Sequence, residues 1–403
     1  MSDSGPAGWQ EKPLLDVVDL PRGQVLPTAE PFRSQVLIAP DHIESRTGRV
    51  LSLETAVSQG AISGKYQIEP GDVLLSKIRP ALRKVAYSSV HGLCSADIYP
   101  LRARAEIDPK FLLAVLLGSR FGQFAESLSG RSGIPKINRK ELAEFRVALP
   151  PPREQRRIAE ILESADEAIR STERLTAKLR MAGQALLKDL IDRFDDSSYP
   201  PSSVDQEFDI KAGITLGPHR QPRMRPVQYL RVANVQRGFI DYKDVALLEA
   251  SPGDALTYTL RAGDLLVVEG HASPSEIGRC ALVRDDHGPL FFQNHLFRLR
   301  SRRLNAEYAL LWLNSTYVRS YWRRTCATSS GLYTINSRQL RALPVPTPDP
   351  SDQERVVRIA RAHETAVRKE LDRMEKLQRL RLGLMEDMLA GRVRVNGEES
   401  AAT

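Results

Sequence analysis

Apolar positions recur at steps of three and four along two long stretches of the chain. The first carries Ile158, Leu162, Ala165, Ile169, Thr172, Leu175, Leu179, Ala182, Leu186 and Leu190, with Glu, Arg and Lys between them. The second carries Val356, Ala360, His363, Val367, Leu371, Met374, Leu377, Leu384 and Met388. One apolar stripe on an otherwise wet surface predicts a long amphipathic helix in each case. Pro151 and Pro152 suit a first helical turn, Ser351 with Glu354 forms a candidate capping box, and Gly391 stands where a C-terminal cap would. At 1.5 Å per residue, about 38 residues make a rod of roughly 57 Å. Such a stripe needs cover, and the obvious cover for each helix is the other.

The two stretches are copies of one larger unit. Aligning Gln155 on Gln353 gives an offset of 198 residues, which also puts Ser132, Gly133, Ile137, Asn138 and Leu142 on Ser330, Gly331, Ile335, Asn336 and Leu340. It further puts Leu186 and Asp189 on Leu384 and Asp387, while Arg193 falls on Gly391. A period this long means duplication of a whole folding unit, and so a pseudo-symmetric protein.

Outside the helices the pattern shortens to strands and turns. Gly71 and Asp72 form a turn before a buried strand at Val73 to Leu75, and RAGDLLVVEG (Arg261 to Gly270) echoes it, followed by IGRCALV as a partner strand. Asp108 to Ser127 reads as helix, with Phe111, Leu112, Val115, Leu116 and Phe124 on one side, and DDSSYPPSS (195–203) reads as a linker. The expected organisation is α+β. Mixed α/β domains at 1–150 and 195–348 are separated by long spacer helices at 151–194 and 349–393, and a flexible tail follows at 394–403.

Charge adds a function to this frame. The net charge of +8 lies in the two globular segments and not in the helices, as expected if the former meet a polyanion and the latter meet protein. Candidate DNA-contacting residues are Lys77, Arg79, Arg83 and Lys84 in one loop, and Arg131, Lys136 and Arg139 in a Gly-rich turn. In the second half they are Arg220, Arg223 and Arg225 among prolines, and Arg319, Arg323 and Arg324 interleaved with Tyr317, Tyr321 and Trp322. A solvated hairpin edge explains the first cluster equally well, and the aromatics fit a core behind an exposed Arg face.

Catalytic chemistry finds no support. There is no phosphate-binding glycine motif, no H-E-x-x-H and no N-P-P-[FY], and the seven histidines show no ligand spacing. Asp108-Pro109-Lys110 and Asp209-Ile210-Lys211 match a D-x-K nuclease fragment, but so short a pattern arises by chance. Cys94, Cys280 and Cys326 stand singly and suit a reducing cytoplasm. The longest apolar run, Phe111 to Leu117, is too short for a bilayer, and the polar N-terminus has no signal-peptide pattern. We expect no catalytic, cofactor or metal site in this chain.

LPPPREQRRIAEIL and PDPSDQERVVRIA at the helix starts, YLRVANVQRGFID, IGRCALV, QNHLFRLRS, SGLYTIN and the terminal LMEDMLAGRVRVN form an ordered set along the chain. Together they resemble the specificity subunits of type I restriction–modification systems. The resemblance implies two target-recognition domains, each reading half of a split double-stranded DNA site, and two helices paired antiparallel as a spacer. It implies docking of two modification subunits on those helices, with Gln155, Arg156, Ile158 and Leu162, and Gln353, Arg355, Val356 and Ala360, as candidate interface residues. S-adenosylmethionine, Mg and ATP would be used by partner subunits, including restriction subunits where these are present. A stand-alone bipartite DNA-binding regulator is the alternative.

Overall fold

The computed structural model describes residues 8–128, 135–192, 202–285, 288–326 and 333–395. It divides into two compact units, and the division does not follow the sequence segments. The first unit comprises residues 1–174 with 371–403, and the second comprises residues 175–370. Each unit therefore holds one mixed α/β domain together with half of each long helix.

In the first unit a four-stranded antiparallel sheet runs in the order Val18–Asp19, Ile98–Ala103, Val73–Ser76, Val85–Tyr87. Val73, Leu74 and Leu75 are buried on both faces, which explains a continuous apolar run where a one-sided strand would alternate. A three-stranded sheet places Gly92–Cys94 between Leu37–Ile38, which is parallel to it, and Tyr66–Ile68, which is antiparallel. The helices Pro109–Leu117 and Ser119–Ser127 cover the larger sheet with Phe111, Leu112 and Phe121.

The second unit repeats the four-stranded sheet but centres its smaller sheet on a different strand. Its four-stranded sheet runs Phe208–Ala212, Leu296–Ser301, Asp264–Val268, Cys280–Leu282. Its three-stranded sheet places Pro226–Leu230 between Ala246–Glu249, antiparallel, and Leu290–Phe292, parallel. The helices Ala306–Leu313 and Thr316–Thr325 pack over the larger sheet.

The residues shared by the two halves turn out to be joints of this scaffold. Gly71 at φ +101° and Gly263 at φ +91° make a left-handed turn that a side chain would strain. Each turn delivers a buried aspartate. Asp72 takes Arg102 at 2.9 and 3.0 Å and the Glu69 amide at 2.9 Å, and Asp264 takes Arg300 at 2.7 and 2.8 Å and the Arg261 amide at 2.8 Å. Asn138 and Asn336 each cap a short helix in a reciprocal box, with Glu141 and Gln339 respectively.

The long helices span Pro152–Asp192 and Pro350–Leu389 and pair antiparallel. In the first unit Glu154 meets Arg394 at 2.8 and 3.0 Å and Asp166 meets Arg381 at 2.8 and 3.1 Å, while Ile158 and Leu162 share a core with Met385 and Met388. In the second unit the His363 ring contacts the Leu179 carbonyl oxygen at 2.8 Å, and Leu190 and Ile191 share a core with Val356 and Val357. Leu175, Ala182 and Leu186 of the stripe remain exposed.

The His363 ring lies where a Cβ on Gly183 would stand, so the bare helix surface makes room for the imidazole. Gly183→Ala gains about 1 kcal/mol of helix propensity but overpacks this contact, at about 1–3 kcal/mol. We expect net destabilisation in urea unfolding followed by circular dichroism; a raised midpoint would show that the ring is free to move aside.

Candidate nucleic-acid interface

Several of the basic residues singled out above are built into the fold. Lys77 donates to the Ala96 carbonyl at 2.5 Å and lies over the rings of Tyr66 and Tyr99, at 4.9 and 4.3 Å from their centroids. Burial pushes its pKa below the usual lysine range. Arg83 donates to the Leu117 and Gly118 carbonyls, and Lys84 to the Pro40 carbonyl at 2.6 Å. These three cations tie loops and helix ends to one another and do not face solvent as a DNA-reading cluster. In the same unit Arg79, Lys136 and Arg139 are exposed, Lys136 with Asp97 3.5 Å away. Arg131 lies outside the described residues.

In the second unit Arg220 is also internal. Its guanidinium pairs with Asp254 and donates to the Glu249 carbonyl at 3.1 Å. Burial raises the pKa of Asp254, but the Arg220 pairing and the Ser251 amide outweigh it and hold the carboxyl below its ordinary range. Arg319 is half-buried, whereas Arg323 and Arg324 are exposed. The neighbouring aromatics belong to the core: Trp322 is buried, and Tyr317 packs on Trp312 with ring centroids 5.1 Å apart.

Arg223 and Arg225 have a different setting. The Glu249 carboxylate accepts three consecutive backbone N–H groups, from Arg223 at 2.7 Å, Met224 at 3.0 Å and Arg225 at 2.9 Å. Those bonds, led by the Arg223 amide, hold the Glu249 pKa below the usual carboxylate range. Three successive amides converging on one anion form a concave nest. The amides face inward, so the side chains of Arg223, Met224 and Arg225 fan outward, and all three are exposed.

Topology locates the counterpart of this loop in the first unit. The loop enters Pro226–Leu230, whose partner Leu290–Phe292 runs parallel to it, and Leu37–Ile38 holds that place beside Gly92–Cys94. The segment entering Leu37–Ile38 carries the turn Phe32–Ser34, with Arg33 exposed. Sequence reasoning places no site here because residues 14–60 carry neither a repeat match nor a basic cluster.

The expected docking residues need a larger correction. Gln155 is 1% exposed; its amide nitrogen donates to the Glu106 and Pro150 carbonyls at 3.0 and 2.9 Å, and its oxygen accepts the Asp108 amide at 2.8 Å. Gln353 does the same with the Pro348 carbonyl and the Asn305 amide, both at 2.8 Å. Ile158, Leu162 and Val356 are buried in the domain cores. These residues fasten each domain to its helix, so they offer no surface to a second subunit. Arg156 and Arg355 are exposed, and Ala360 is half-buried.

Neither D-x-K fragment resembles a metal site. Asp108 caps the helix Pro109–Leu117 by accepting the Lys110 and Phe111 amides, and Lys110 pairs with Glu163 at 2.6 Å. Asp209 pairs with Arg298. The thiols of Cys94 and Cys280 are buried, which pushes their pKa values up and keeps them unreactive. Among the described residues no group of three or more His, Cys, Asp or Glu is placed to hold a metal ion, and no helix is long and apolar enough to cross a membrane.

Comparison with known proteins points one way. The family model for the type I restriction modification DNA specificity domain matches residues 6–181. The Type I restriction enzyme EcoDI specificity subunit of Escherichia coli is 33% identical over 186 residues, covering 45% of this chain and 41% of that protein. The EcoKI specificity subunit of Escherichia coli K12 is 23% identical over 380 residues, covering 88% of this chain and 81% of that protein. The match to the first of these relatives thus spans less than half of its length. The crystal structure of the HsdS subunit from Thermoanaerobacter tengcongensis superposes with a TM-score of 0.57 at 20% identity, over 97% of this chain and 99% of that one. A chain from a type I R-M system solved for its complex assembly gives a TM-score of 0.69 at 20% identity, over 97% of this chain and 100% of that one. With the duplicated α/β unit and the antiparallel helices in agreement, residues 6–181 match the type I restriction modification DNA specificity domain, and the chain as a whole is similar to type I restriction enzyme specificity subunits.

Proposed function

We propose that this chain is the DNA sequence-specificity subunit of a type I restriction–modification complex. Each unit reads one half of a bipartite site on double-stranded DNA, and the exposed faces of the long helices dock two modification subunits. Restriction subunits would join where the system has them. The chain itself is non-catalytic and holds no cofactor; partner subunits would use S-adenosylmethionine, Mg and ATP, in the cytoplasm.

One observation carries this reading. The residues common to the two halves serve the scaffold, Asp72 and Asp264, and Gln155 and Gln353, as buried joints and Asn138 and Asn336 as helix caps, whereas the exposed loops around Arg33 and Arg223 share no sequence. One scaffold, used twice, presents two different surfaces. That arrangement suits recognition of two unlike half-sites, since base readout depends on the side chains presented and phosphate contacts do not discriminate. A stand-alone regulator has no use for long exposed helix faces and is not favoured.

The test is adenine-methylation sequencing of cells expressing this chain with and without its modification subunit. A split motif modified on both strands only when both are present is the expected result. An active partner with no split motif would overturn the reading.

A further inference from the structure

The sequence around the nest reads Pro222-Arg223-Met224-Arg225-Pro226, and its central residue is conspicuous. Met224 is 89% exposed, although nothing about a surface loop calls for a long apolar side chain. It stands at the apex of a loop that is fixed twice. The Glu249 carboxylate gathers the amides of residues 223, 224 and 225, and the buried Arg220–Asp254 pair anchors the loop's base to the helix Asp254–Tyr258. A rigid loop pushing one apolar group forward between two cations is shaped to meet a surface that is anionic at its rims and apolar at one point inside. Duplex DNA has that character where a thymine C5-methyl lies in the major groove between two phosphate ridges.

We propose that Met224 is a specificity-determining residue of the second unit, packing on a thymine methyl while Arg223 and Arg225 take flanking phosphates, and that Glu249 is the residue that positions all three. This rests on the DNA-specificity reading above. The division of labour follows from the side chains. A thioether has no donor and is only a weak acceptor, so its main reward is an apolar edge, whereas the flanking guanidiniums supply sequence-independent attraction. Glu249 is negatively charged and stands close to the proposed DNA face. Electrostatics alone makes it unfavourable there, so its benefit must come from shape.

The assembled complex of this chain with its modification subunit is titrated with two duplexes. One carries the split site found by methylation sequencing, and the other has the half-site of the second unit scrambled. Met224→Ala should cut the preference for the correct duplex about tenfold and leave the salt slope unchanged. Replacing thymidine by deoxyuridine at the contacted position should cut it similarly in the unsubstituted complex, with no further loss in Met224→Ala. Arg223→Gln with Arg225→Gln should weaken both duplexes and lower the salt slope by about 0.9 for each phosphate no longer neutralised.

Glu249→Gln separates positioning from charge. It should reduce the preference while leaving binding to the scrambled duplex as tight or tighter, an outcome that general unfolding would not produce. A preference within twofold of the unsubstituted value in Met224→Ala, or a methyl effect that persists there, overturns the assignment. So does loss of the modification subunit from Met224→Ala, which would turn the loop toward protein. A complex that modifies no split motif at all would instead bring down the functional reading on which this rests.

Discussion

Gln155→Ala should destabilise the first unit by about 3 kcal/mol, although the residue touches no ligand. Its amide makes three hydrogen bonds in a buried setting, to the Glu106 and Pro150 carbonyls and from the Asp108 amide. Truncation leaves those backbone groups unpaired, and each buried unsatisfied group costs about 1–3 kcal/mol, moderated where water can enter. Asp108 also caps the helix that covers the large sheet, so loosening its amide loosens the domain's grip on the long helix. Gln353→Ala should have a smaller effect, because Gln353 holds one carbonyl and one amide. Urea unfolding gives the magnitude, and hydrogen exchange at residue 108 gives the place. The contrast is Arg156→Glu, one position along and exposed, expected within about 0.5 kcal/mol of the unsubstituted chain. Equal effects at 155 and 156 would mean that the buried amide is not the joint described here.

That pair of neighbours shows what the sequence could and could not reveal. The helices, the repeat and the strands after each Gly-Asp turn are legible because periodicity and glycine placement act locally. A match between two halves says that a position matters without saying whether it faces a partner or the chain's own core. Gln155 and Gln353 look like surface residues by type, and only the helix start folding against its domain buries them. The same ambiguity runs through the basic residues. Lys77, Arg83, Lys84 and Arg220 form clusters in sequence, yet each is consumed by carbonyls or a carboxylate contributed from 19 to 44 residues away. Arg223 and Arg225 are presented to solvent because Glu249, 24 to 26 residues distant, takes their amides and not their side chains. No local signal separates these cases. Arg33 could be found only through the strand order, since its equivalence to the later loop lies in topology and not in residues.

Arg300→Met should cost about 2–3 kcal/mol in the second unit, while Asp264→Asn combined with Arg300→Met should recover part of that loss. Asp264 is 1% exposed and Arg300 is 30% exposed in its side chain, so removing the arginine leaves a buried carboxylate with the Arg261 amide as its hydrogen-bond donor and the Arg298 charge nearby. Leaving one member of a buried pair uncompensated costs about 3–5 kcal/mol; partial exposure of Arg300 lets water soften this toward the lower end. Neutralising the aspartate as well removes the stranded charge, which is why the double substitution should be milder than the arginine substitution alone. Arg102→Met is the matched test in the first unit, where Asp72 stands in the same relation to Arg102. Thermal unfolding of the four chains closes the double-mutant cycle, and a double substitution worse than the single would show that the pair stabilises by more than cancelling its own buried charge. The functional consequence follows from the division into units. Arg300→Met loosens the sheet beneath the second reading surface and leaves the first intact. Its complex should therefore lose discrimination against changes in one half-site while still rejecting changes in the other.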